Sequence, residues 1–75
     1  MWIKTENGTL VNMDKVVNIY AAWAGSETRE NVIAVDDIDV KLRLCSCQNG
    51  ELADAKIEEI AQAIRSGENF LDLSK

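Results

Sequence analysis

Cys45-Ser46-Cys47 is the one place where residue type and spacing suggest chemistry without further context. On a strand, a spacing of two puts both sulfurs on one face, here the face that also carries Lys41 and Arg43. Neighbouring cations lower a thiol pKa and two thiolates can share a soft metal, so redox or metal chemistry is conceivable there. Two sulfurs, however, are only half of a structural zinc site. A site shared across a dimer would supply the rest, whereas the simpler reading treats both cysteines as small apolar residues near a strand end. We adopt the simpler reading: no metal or cofactor is assigned, and Cys45 and Cys47 stand only as metal candidates.

Catalytic readings lose most of their parts. The chain has no His, which removes the commonest general base, the Ser-His-Asp and Cys-His arrangements and the common zinc sites. Asp36, Asp37 and Asp39 gather at one turn and could hold a divalent cation through oxygens, but they lack the calcium-loop pattern and read as a solvated acidic turn. Gly8, Gly25, Gly50 and Gly67 stand singly at bends, so there is no phosphate-cradling loop. The expectation is a protein that is not an enzyme.

Recognition is the remaining chemistry. Trp23 shares a strand face with Val17, Ile19 and Ala21 and reads as core. Tyr20 lies on the other face with Val16 and Asn18 and reads as an interface residue. Tyr20 with Asp36, Asp37 and Asp39 forms the candidate protein-binding set. The alternative set, Tyr20, Arg29, Lys41 and Arg43, would hold an anionic ligand in a pocket between subunits.

Strands followed by a helix must position these residues. Trp2 to Thr5 and Thr9 to Val11, around Glu6-Asn7-Gly8, predict a hairpin with Gly8 at positive φ. Val16 to Trp23 is apolar on both faces, as a central or doubly covered strand would be. Residues 24–30 read as a loop, Asn31 to Val35 as a strand and Asp36-Asp37 as a turn. Ile38, Val40, Leu42 and Leu44 then alternate with Asp39, Lys41, Arg43 and Cys45, predicting a strand with one aliphatic face and one polar face. From Glu51 the period changes. Ala53, Ile57, Ile60, Ala61 and Ile64 trace a helical stripe over residues 51–66, with a cap at or near Asn49 and a stop at Gly67. Residues 69–73 return to period two and predict a tail that pairs with a sheet edge, that of a second subunit included. The expected fold is α+β: a small antiparallel sheet of four to five strands with one C-terminal amphipathic helix packed on one face, as a single domain over residues 1–75.

Size and charge bound the rest. A chain of 75 residues buries only about 60% of its unfolded surface, enough for one modest core. A strand with two apolar faces needs a second cover, and a homodimer is the simplest source of one. Thirteen acidic residues against eight basic ones give a net charge of −5, which repels phosphate backbones and disfavours direct nucleic-acid binding. No apolar run approaches the ~20 residues that span a bilayer, and no basic segment leads into an apolar one at the N-terminus, so neither membrane insertion nor export is expected. A cytoplasmic setting follows, in which thiols stay reduced.

The opening Lys4-Thr5-x-Asn7-Gly8-x-Leu10-Val11-Asn12-x-Asp14-x-Val16-x-x-Ile19 resembles the start of a loose group of short uncharacterised proteins of Gram-positive bacteria and their phages. The resemblance implies an N-terminal strand set followed by one C-terminal helix and brings no activity with it. Beside the negative charge and the missing catalytic residues, it points to a non-catalytic acidic protein-binding module, an inhibitor or adaptor carried by a phage or mobile element that blocks a basic surface of a host protein. The alternative is a homo-oligomeric binder of a small anionic ligand at a subunit interface.

Overall fold

Residues 5–9 close the first turn with their own polar groups. The Thr5 carbonyl accepts from Gly8 N at 3.0 Å, the buried Thr5 Oγ1 accepts from Thr9 N at 3.0 Å, and Gly8 takes φ 89°, a conformation that costs glycine nothing. In this computed structural model, which describes residues 1–25 and 28–74, that turn joins β1 (Trp2–Lys4) to β2 (Leu10–Asn12). Ser26 and Glu27, within the loop expected at 24–30, lie outside the described residues, as does Lys75.

A 3-10 turn at Met13–Lys15 follows, with Asn12 Oδ1 accepting from Asp14 N. It separates β2 from β3 (Val16–Trp23), which continues through β4 (Glu30–Asp36) and β5 (Lys41–Cys47) into helix α1 (Gly50–Arg65) and a last strand, β6 (Phe70–Asp72). The α+β class is thus observed, with two differences from the expected arrangement. Six strands are divided between two sheets, ordered β2-β1-β6 and β3-β4-β5, where one sheet of four or five was expected. The helix is also not the last element, because residues 70–72 pair in parallel with β1 of the same chain. A parallel pair needs a long crossover, and here the second sheet and the helix supply it.

The β3-β4-β5 sheet is an antiparallel meander carrying α1 on one face. Its register aligns Ile19, Ala34 and Leu42 across the three strands, and Ala21, Val32 and Cys45 one pleat further on. Against this face the helix buries Ala53, Ile60 and Ala63, while Ile3 and Val11 from the small sheet and Leu73, just after β6, complete the core. Fully burying an aliphatic side chain such as Leu44 or Ile60 contributes ~1.5–3 kcal/mol. Asn49 Oδ1 caps the helix by accepting from Leu52 N at 2.9 Å, and Gly67 ends it at φ 71°, both as the sequence pattern indicates. The expected stripe is rotated in part: Ala63 is buried, whereas Ile64 is 54% exposed.

The strand expected to run from Ile38 begins at Lys41 instead. Asp36 Oδ1 accepts from both Ile38 N and Val40 N, so the turn extends through Asp39, which adopts φ 66°. Ile38 and Val40 are left exposed. Nor is β3 central: it is an edge strand.

Candidate functional site

A register shift between Val32 and Ile33 decides which side chains of β5 reach which face. Ile33 pairs with Arg43 and Val32 with Cys45, so Leu44 is the extra residue of a bulge. Leu44 and Cys45 both turn inward and are buried, at 0% and 5% exposure. Ser46, opposite Asn31, returns to the other face. This bulge corrects the expectation that the two cysteines share a face with Lys41 and Arg43. They lie on the helix side, where Cys47 lines a recess with Leu52, Lys56 and Glu59. Burial, reinforced by the adjoining Cys47 thiol, pushes Cys45 from an ordinary 9.0 up to about 12. Such a thiol holds its proton at neutral pH and is a poor nucleophile. No group of three or more His, Cys, Asp and Glu side chains suited to a metal occurs among the described residues.

The face opposite the helix has a different composition. Tyr20, Ile33 and Arg43 stand in one cross-strand row; Asn18, Val35 and Lys41 form the row on one side of it, and Ala22, Asn31 and Ser46 the row on the other. Arg29 joins them from the loop end, its Nε and Nη2 donating to Ser46 Oγ at 3.3 and 3.0 Å. Tyr20, Arg29, Lys41 and Arg43 are therefore brought to one face, and none of the nine in-register positions carries a carboxylate. Tyr20 and Ile33 are half-buried, Lys41 and Arg43 exposed. Three cations gather on one patch of a chain with net charge −5, with the Glu6 carboxylate at the edge beside Ser46, and such clustering makes the local potential more positive than that of the surrounding surface.

Asp36, Asp37 and Asp39 do not join Tyr20. They occupy the β4–β5 turn, with Asp36 opposite Val16, four residues along β3 from Tyr20 or about 13 Å at strand rise. Asp36 is committed to its turn, whereas Asp37 and Asp39 are exposed. Trp23, expected in the core, is 68% exposed at the end of β3.

Three contributors to these surfaces have no sequence signal strong enough to single them out. Asn31 Oδ1, buried within the basic face, has no hydrogen-bond partner among the described residues. Glu6 N donates to Leu44 O at 2.9 Å and Glu6 Oε2 accepts from Ser46 N, closing part of the outer edge of β5. Glu30 places its carboxylate where a Cβ on Gly50 would lie, at the positive end of α1. Period two within β4 could have placed Asn31 and Ile33 together, but the other two contacts join residues far apart in sequence.

No protein-family profile, curated protein or solved structure matches the chain. Among the described residues no helix is long and apolar enough to cross a membrane.

Proposed function

We propose that the protein is a non-catalytic protein-binding module and that its contact surface is the open face of the β3-β4-β5 sheet. One observation carries this reading: Tyr20 and Ile33 form an aromatic and aliphatic centre flanked by Arg29, Lys41 and Arg43, with no carboxylate in register. Tyr and Arg are the residue types that most often anchor interfaces. A strand face offers them on a fixed backbone, so the ordering cost of binding is confined to the side chains. The partner surface that fits is one with carboxylates around an apolar centre.

This reading keeps the protein-binding role but moves the contact away from the acidic turn. A host or other bacterial protein remains the partner class, and inhibitor or adaptor remains the role. The test is capture from host lysate with wild type, Lys41→Glu/Arg43→Glu and Asp37→Lys, each at low and high salt. A partner held by wild type and by Asp37→Lys, but lost by the double variant and at high salt, supports the basic face. Loss with Asp37→Lys alone would transfer the role to the acidic turn and its fit to a basic surface.

The recess beside Arg29 favours a second reading, a small anionic ligand. Arg29 lines it with Thr28, Gln48 and Asn49 over a volume of about 350 Å³. Thermal-shift measurement with nucleotides and metabolite anions separates the two readings, because a tight ligand raises the melting temperature.

A further inference from the structure

We propose that β3 is a self-pairing edge: two copies of the chain join β3 to β3 antiparallel, about a twofold axis through Tyr20, to make one six-stranded sheet. This goes beyond the protein-binding reading and stands on different observations.

The two edges of the β3-β4-β5 sheet are treated differently. The β5 edge is met by Glu6, through Leu44 O and Ser46 N. Along β3, no other strand pairs with the outer side among the described residues. Exposed edges are ordinarily protected from pairing by Lys, other charges, Pro or a β-bulge. Val16 to Trp23 carries no charge and no Pro over eight residues, and its one bulge, at Val17, leaves residues 18–23 regular. Two chains of net charge −5 repel each other over most of their surfaces, and β3 is an uncharged strip along which they can approach.

The register follows from face matching. Directly opposed residues of an antiparallel pair lie on the same face, so the residue numbers of opposed positions must sum to an even value. With the axis through Tyr20, Ile19 opposes Ala21 and Asn18 opposes Ala22 of the second copy, and Val17, the extra residue of a bulge against β4, falls opposite Trp23. Val17 and Trp23 are the most exposed side chains of the strand, at 69% and 68%, and this register sets each against the other at both ends of the interface. It also supplies an occupant for the groove beside β3. That groove, about 340 Å³, is lined by Val17, Ile57, Ala61 and Ile64 among others. It lies on the helix side, next to the position where the second copy's Trp23 would arrive. An indole can bury about 150–250 Å², and the partly exposed Ile64 gives it an apolar wall.

The area is sufficient. The seven residues paired in this register, 17–23, extend about 24 Å at strand rise, on a body 20 Å across its shortest axis. That projects to on the order of 500 Å² per copy and about 1,000 Å² in total, the size at which a specific interface becomes credible. A dimer of this form would also bring two basic faces side by side, with Tyr20 from each copy at the centre.

Sedimentation of the full chain across a concentration series, with two double variants, tests the proposal. Wild type should move from monomer to dimer as concentration rises. Val17→Glu/Trp23→Glu sets like charges opposite each other at both ends of the interface. Val17→Lys/Trp23→Glu places opposite charges at the same exposed positions. The second variant should dimerise at least about tenfold more tightly than the first, as cross-strand charge pairing requires. A wild type that stays monomeric into the hundreds of micromolar overturns the dimer. Equal self-association of the two variants overturns the register through Tyr20.

Discussion

The two faces of the β3-β4-β5 sheet are built from alternate residues of the same three strands, yet they have opposite physical characters. The helix-side face, with Ala34, Val32, Leu44 and Cys45, is dry and close-packed under α1. The other face, with Tyr20, Ile33, Lys41 and Arg43, is half-open and positively charged. Period two separates the faces along most of each strand, but at Leu44 a single extra residue reassigns everything after it. Without the bulge, Cys45 would stand among cations on the open face and its thiol would be a plausible nucleophile. With it, the thiol is buried and Ser46 is free to hold Arg29.

Inserting one alanine between Val32 and Ile33 should break this contrast most severely. The insertion gives Leu44 a partner, so regular alternation turns Val32, Cys45 and Cys47 away from the core, and thermal unfolding followed by circular dichroism should lose its cooperative transition. A cooperative, near-native melt would mean that the bulge does not set the faces. Leu44→Ala should cost about 2–5 kcal/mol in urea unfolding, as for a fully buried leucine. Ile33→Ala, on the half-open face, should cost about 1 kcal/mol. Similar losses would show that the two faces are equally packed.

Alkaline pH gives a finer comparison. Cys45, held at about 12 by burial and then by Cys47, keeps its proton in the folded chain after the unfolded chain has lost it. Its contribution is intact below an ordinary thiol pKa of about 9 and declines as pH rises from there towards 12. Stability measured across that window should fall in wild type and fall less steeply in Cys45→Ala. A parallel decline in both would assign the alkaline loss to other groups. The smallest expected effect is on the open face. Arg43→Glu should change stability by less than about 0.5 kcal/mol, even though the same substitution contributes to loss of partner in the binding test. A larger loss would make Arg43 a structural residue and weaken the case for a contact surface.

What could be read from the sequence was local. The Gly8 hairpin, the Asn49 cap and the Gly67 stop each depend on backbone conformation and hydrogen bonds within a few residues, and each is observed. The candidate set Tyr20, Arg29, Lys41 and Arg43 was legible in part, because strand alternation places Tyr20 and the two β5 cations. Its assembly on one face depended on the register of β3 and β5 against β4. The inward turn of Cys45 was hidden because the strict alternation from Ile38 to Cys45 continues through the bulge without a break in pattern. Trp23 was misassigned by the same alternation: it shares a face with Ile19 and Ala21 but extends beyond the cover they receive.

By itself, the sequence determined the α+β class, the helix and its ends, the tight turns and an acidic, His-free composition. These follow from local propensity, periodicity and counting, which do not require knowing what lies across the core. The tertiary structure decided the division into two sheets, the parallel return of β6 to β1, the bulge at Leu44 and the position of β3 at an edge. Each of these is a choice between pairings of similar local geometry, settled by which arrangement buries Ile3, Val32, Leu44 and Ile60 together, and burial on that scale is a property of the whole chain.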